Sequence, residues 1–221
     1  MCARTRTAEE GQGRGRGLGQ GLRERHKAER RGRILDAARE LLRAEPDSVL
    51  GTERIAERAQ VAPATVYNLI GPRDKIWEAL AAGFTDELER RLTLLGTGDP
   101  RDVVASTVQL FVDDPVVSRR MVREWEQSGL VLDRSPLTQL RRALADARER
   151  GVLRADADTD ALASVVGTAC VGALHQWVAG RIDDERFLAR VLLALDVALA
   201  AAAADPHRDR LLTPLRSRGS A

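Results

Sequence analysis

Between Thr52 and Gly71 the chain reads TERIAERAQVAPATVYNLIG, two short apolar repeats separated only by Gln60-Val61-Ala62. Ile55, Ala56 and Ala59 make one face of the first repeat, and Val66 and Ile70, at i and i+4, make one face of the second. A break this tight is not an ordinary loop. The spacing predicts two helices held close together, and the small side chains of Ala59, Val61 and Ala62 allow the approach. Thr52 is placed to cap the first helix, and Pro63 opens the second.

A packing helix precedes them, with Ile34, Leu35, Ala38, Leu41 and Leu42 on its inner side, stopping near Glu45-Pro46. Two helices joined by three or four residues after such a helix form a helix-turn-helix, which lays its second helix in the major groove of DNA. With Val66 and Ile70 turned inward, Pro63, Ala64, Thr65, Tyr67 and Asn68 point away from the core. Plainer readings stand beside this one: Tyr67 as a helix-packing aromatic, and Thr52 as a cap with no phosphate nearby.

The rest of the chain keeps the helical period, and no stretch alternates with period two long enough for a strand. A long helix follows Gly71-Pro72, with Trp77, Leu80, Ala81, Phe84, Leu88, Leu92 and Leu95 as its buried stripe. Further helices are expected over 100–112, 115–127 and 136–150, the last with Ser135 as cap and Gly151 as stop. Two more run over about 159–179 and 184–204, and the tail from His207 is expected to fray. The fold class is all-α: an N-terminal three-helix head over 23–72, then a helical domain over 73–206.

Residues 1–22 carry glycine at every odd position from Gly11 to Gly21 and almost no apolar side chains, the composition of a disordered arm. The charge is lopsided. Residues 1–33 hold ten Arg or Lys against four Glu, and the remainder holds 25 against 29, so a basic end sits on an acidic body and points to a polyanion. Cys2 and Cys170 lie far apart, which fits a reducing, cytoplasmic setting. The segment 161–180 has no formally charged residue apart from a neutral His175; with Ser164, Thr168 and Gln176 in it, a buried helix is expected rather than a membrane span.

RILDAARELL, TERIAERAQVAPATVYNLIGPRDKIWEAL and the long helix after them resemble the TetR family of bacterial transcription regulators, over roughly 33–80. The resemblance implies that Thr52 caps its helix against a phosphate and that Pro63, Ala64 and Thr65 begin the recognition helix. It also implies that the Tyr67 hydroxyl reaches the DNA backbone and that Arg73 binds phosphate where a lysine is usual. Asn68 precedes a pair that is commonly histidine-phenylalanine and is here Leu69-Ile70. Gln60 stands where the family usually has glycine, and a left-handed backbone there costs a residue with a side chain about 1 kcal/mol.

One recognition helix reads only a few base pairs, so a double-stranded operator of repeated half-sites requires a homodimer. The candidate interface lies within 159–204, where Gly167, Ala169, Gly172 and Ala173 allow close approach. Phe84, Phe111, Met121, Trp125, Cys170 and Trp177 are candidate lining for a small-molecule effector, or plain core. His26, His175 and His207 stand apart, the cysteines lack metal-ligand spacing and no G-x-S-x-G occurs, so neither an enzyme, a metal nor a cofactor is expected. Asp113-Asp114 and Asp183-Asp184 read as helix punctuation. The competing reading is a dimeric ligand-binding protein of the same fold that no longer binds DNA.

Overall fold

The computed structural model describes residues 13–96, 98–128 and 136–218. Helices account for its regular structure: α1 Gly13–Ala44, α2 Thr52–Arg58, α3 Pro63–Leu69, α4 Arg73–Leu95, α5 Pro100–Asp113, α6 Pro115–Ser128, α7 Pro136–Glu149, α8 Thr159–Val178, α9 Asp184–Ala202 and α10 Asp205–Arg218. No strand occurs among the described residues. The chain divides into two compact units, Met1–Ala79 and Leu80–Ala221, with the boundary inside α4.

The first unit, the head, is α1 to α3 with the opening turns of α4. Its core is built from the inner stripe of α1, chiefly Ile34, Ala38 and Leu42, closed by Ile55, Val66, Ile76 and Trp77. The connection from α1 to α2 is held by Leu50, which is buried, and by Arg54, which reaches back to Glu45 Oε1 at 2.6 Å and to Ser48 Oγ at 2.9 Å.

The second unit, the body, packs α5, α7, α8 and α9 around one apolar core, with α6 against α5 and α8, and α10 against α9. Phe84 packs on Phe111 with ring centroids 4.5 Å apart, Phe111 on Phe187 at 6.3 Å, and Phe187 stacks on Trp177 at 5.5 Å. Arg119 lies over the Trp177 ring at 4.6 Å, and the Trp177 indole N–H donates to Asp184 Oδ1 at 2.7 Å. Asp99, Asp158 and Asp183 cap α5, α8 and α9 by accepting backbone N–H bonds. Leu153 and Ala203 form an isolated antiparallel bridge that fastens the segment after α7 to the end of α9.

The described residues toward either end are more helical than the composition suggests. Residues 13–22, expected in a disordered arm, are the first turns of α1, while residues 1–12 lie outside the described residues. Extending a formed helix gains a hydrogen bond for each residue fixed, whereas starting one does not, so α1 continues through glycines that would nucleate poorly. The tail expected to fray is α10, which sets Asp205 in its first turn and packs Leu211 on the body core. Leu95, expected in the buried stripe of α4, is half exposed where that helix ends. The cap assigned to Ser135 lies outside the described residues.

α8 is long and apolar enough by composition to cross a membrane. Here it lies between α7 and α9, with Ala163, Val166, Ala173 and Trp177 in the body core. Among the described residues one buried charge interrupts that core. Asp196 of α9, 2% exposed, is paired at 2.6 Å with Arg101 of α5, which reaches it from the edge at 36% exposure. Arg101→Met should lower the unfolding free energy in urea by about 3 kcal/mol, because the buried carboxylate loses the Arg101 guanidinium. Arg101→Met combined with Asp196→Leu should recover most of that loss.

Candidate functional site

The turn after α2 sets the geometry of the head. Gln60 has φ +55°, Val61 N–H donates to Ala56 O at 2.9 Å, and Gln60 N–H donates to Glu57 O at 3.1 Å. These two bonds are the Schellman arrangement that ends a helix on a left-handed residue. Gly151 and Gly180, both with positive φ, close α7 and α8 by the same pair of bonds. The head therefore keeps the backbone that a glycine would favour and carries glutamine there.

From this turn α3 rises with Pro63 at its first position and Ala62 as N-cap without a side-chain bond. The seven residues of α3 pack on α2 and α1 through Val66, which is fully buried. Its other side is open: Pro63, Ala64 and Asn68 are exposed, Tyr67 is 61% exposed and Thr65 is half-buried. The outward set read from the spacing is thus brought together on one side of one helix.

Two features differ from the sequence reading. Thr52 does not cap α2; the cap is Gly51, whose carbonyl accepts from Ile55 N–H at 3.1 Å, and Thr52 is the first helical residue. The extended backbone of Gly51 already leads into the helix, so the hydroxyl of Thr52 sits one position past the cap. Arg31, which no motif singled out, donates from Nη1 to Leu69 O at 2.7 Å. Its guanidinium thereby satisfies a carbonyl at the C-terminal end of α3, where a cation is favoured. The contact spans 38 residues of sequence and leaves no local signal.

Past α3, Gly71 takes φ +115°, and a Cβ there would come within 2.9 Å of Lys75 Cβ. This is the bend that starts α4 at Arg73, which is exposed. Along α1 the basic residues Arg23, Arg25, Lys27 and Arg30 are also exposed.

The body contains a cavity of about 310 Å³ walled by α5 to α9. Of the six residues put forward as lining, Phe111, Trp125 and Cys170 form part of the wall. Phe84 stands behind Phe111; Met121 and Trp177 are buried outside the lining, Trp177 in the ring stack. Much of the remaining wall is aliphatic, including Val103, Val104, Leu137 and Leu140. Such residues carry no mark in sequence that separates lining from core. Gly167 also faces this wall, with a Cβ position 3.0 Å from Leu137 Cδ1, and Ala173 is buried in the body's own core.

The carboxylates read as punctuation are engaged as such. Asp113 ends α5 and pairs with Arg91 at 2.6 Å; hydrogen bonds from Gln109 and Arg91 hold its carboxyl below the usual range. No cluster of His, Cys, Asp or Glu that could hold a metal ion occurs among the described residues.

Residues 34–69 match the model of a family described as bacterial regulatory proteins, tetR family. The body extends the likeness: the solved structure of SmeT, the repressor of the Stenotrophomonas maltophilia multidrug efflux pump SmeDEF, is 26% identical with a TM-score of 0.59, over 79% of this chain and 91% of that one. The head is of the TetR family, and the chain as a whole shares the fold of this repressor. A complex of SmeT with triclosan is also similar, at 25% identity and a TM-score of 0.52, covering 80% of this chain and 92% of that one. A TetR-family regulator from Rhodococcus sp., described as putative, has a TM-score of 0.61 at 22% identity over 78% of this chain and 99% of that one, a likeness of fold alone. Among curated proteins there is no match.

Within a TetR-type head the Gln60 turn is the departure with an energetic consequence. Gln60→Gly should raise the unfolding free energy by about 1 kcal/mol by removing the left-handed penalty, measured as a shift in the denaturation midpoint at constant slope.

Proposed function

We propose that this TetR-family regulator binds a two-fold symmetric operator as a homodimer, represses transcription there, and is released by a small molecule held in the body cavity. The observation that carries the DNA half is the open outer side of α3, with its inner side fixed by Val66. In this reading Pro63, Ala64, Thr65 and Asn68 meet the major groove, while Thr52, Tyr67 and Arg73 meet phosphates. A residue at the start of a helix, as Thr52 is, suits a phosphate without acting as its cap, since the first N–H groups of a helix lack internal partners.

Self-association is supported by the outer faces of α8 and α9. Ala161, Val165, Thr168, Val171, Gly172 and His175 form an exposed stripe along α8, and Arg190, Leu193, Val197 and Ala201 form one along α9. Val165 is 59% exposed and Val197 52%, which is unusual for aliphatic residues on two adjoining helices of a monomer. Two copies joined through these stripes bury both and pair two recognition helices for half-sites a helical turn, about 34 Å, or a multiple apart. A DNA partner places the protein in the cytoplasm.

Release is supported by the position of Phe111, which walls the cavity on one side and packs on Phe84 of α4 on the other. An effector that prefers one setting of Phe111 would move α4 and with it the spacing of the paired heads. It shifts the equilibrium only by its difference in affinity for the two settings. The complex of SmeT with triclosan is a precedent for a small molecule bound by a similar fold.

Genome-wide footprinting of the purified protein should give a symmetric site, and protection of one unrepeated half-site would overturn the dimeric reading. On the footprinted operator, Arg73→Ala should weaken specific and random DNA alike and flatten the salt dependence by about one unit; an unchanged slope argues against a phosphate contact. Val165→Glu with Val197→Glu should give a monomer in sedimentation with wild-type helicity. Its operator affinity should fall at least about a hundredfold, because half the phosphate and base contacts are lost.

A further inference from the structure

Among the described residues the wall of the body cavity carries no charged side chain, and their polar chemistry comes down to Thr107, Trp125 and Cys170. The Thr107 hydroxyl donates to Val103 O at 2.7 Å, so its proton is committed and only acceptor capacity remains. Burial pushes the Cys170 thiol up to about 11, so it stays protonated at neutral pH and offers a weak S–H. The indole N–H of Trp125 is buried and has no acceptor among the described residues. A buried donor without a partner is a standing penalty that an incoming acceptor relieves.

Volume narrows the occupant further. A dry apolar cavity of about 150 Å³ takes benzene, and this one is about twice that size, at 310 Å³. A carboxylate or ammonium group entering it would lose its hydration and meet no counter-charge on the wall. A plain hydrocarbon would fill the space and leave the Trp125 N–H unpaired.

We infer that the cavity binds an uncharged, predominantly apolar molecule of about twelve non-hydrogen atoms, bearing one hydrogen-bond acceptor that takes the Trp125 indole N–H. Trp125 belongs to the wall, so the acceptor its N–H lacks can come from a molecule in the cavity. The biological meaning of this assignment rests on the cavity being the effector site; the chemical assignment rests on the wall alone.

Three aromatic probes of similar size test it by calorimetry on the full chain: propiophenone, butylbenzene and 3-phenylpropionate at pH 7. The ketone should bind about tenfold tighter than the hydrocarbon, and the carboxylate should not bind measurably. In proton–nitrogen spectra the Trp125 indole resonance, assigned by its loss in Trp125→Phe, should move downfield with the ketone and not with butylbenzene. Trp125→Phe should bind ketone and hydrocarbon equally. The spectral shift is read in the unaltered protein, so it decides the matter even if that variant folds poorly.

Equal affinities in the wild type, tighter binding of the carboxylate, or a ketone preference that survives Trp125→Phe would overturn the inference. If the probes bind in the stated order while operator affinity stays unchanged, the inference stands and the effector reading falls. A charged compound that releases operator DNA and competes with the ketone would overturn the inference and leave the effector reading standing.

Discussion

The DNA-reading half of the proposed function depends on one buried side chain, Val66. A helix of seven residues is too short to hold itself together in water, so α3 exists because Val66 is packed against the rest of the head with none of its surface exposed. Anchoring one side of so short a rod commits the other to solvent. Tyr67 and Asn68 are outward-facing for that reason, and their own polarity is secondary. The two ends are fixed by backbone chemistry: the Schellman turn at Gln60 before α3, and the Arg31 guanidinium on the Leu69 carbonyl after it.

Head and body solve different problems with different materials. The head is small, with polar clamps at its edges, such as Arg54 on Glu45 and Ser48, and a basic surface along α1. The body is held by a run of aromatic contacts from Phe84 through Phe111 and Phe187 to Trp177, around which the aliphatic residues of α5 and α7 to α9 close. A cavity persists beside that run, its described wall uncharged, and the outer faces of α8 and α9 keep aliphatic residues in water. Both features are costly for an isolated domain, and both are the surfaces at which the proposed function needs a partner.

The punctuation of the chain made the helices legible. Pro63, Pro100, Pro115 and Pro136 open helices because a proline loses nothing at the first turn, and Gly151 and Gly180 close them because they accept positive φ. Asp158 and Asp183 declare their caps in the same way. Where a boundary has no such mark the reading slips: Thr52 reads as a cap because Gly51 carries no side chain to advertise itself. The helical residues 13–22 and α10 are supported by extension from α1 and by the packing of Leu211, neither of which composition reports.

By itself the sequence determined most of the helices, the tight turn and the outward residues of α3, since these follow from periodicity and spacing within about twenty residues. Only the tertiary structure decided which aromatics wall the cavity, that Gly167 faces Leu137, that Arg31 holds the end of α3 and that Arg101 neutralises Asp196. Those contacts join residues far apart in the chain, and an apolar side chain reads the same in sequence whether it fills a core, lines a cavity or awaits a second subunit.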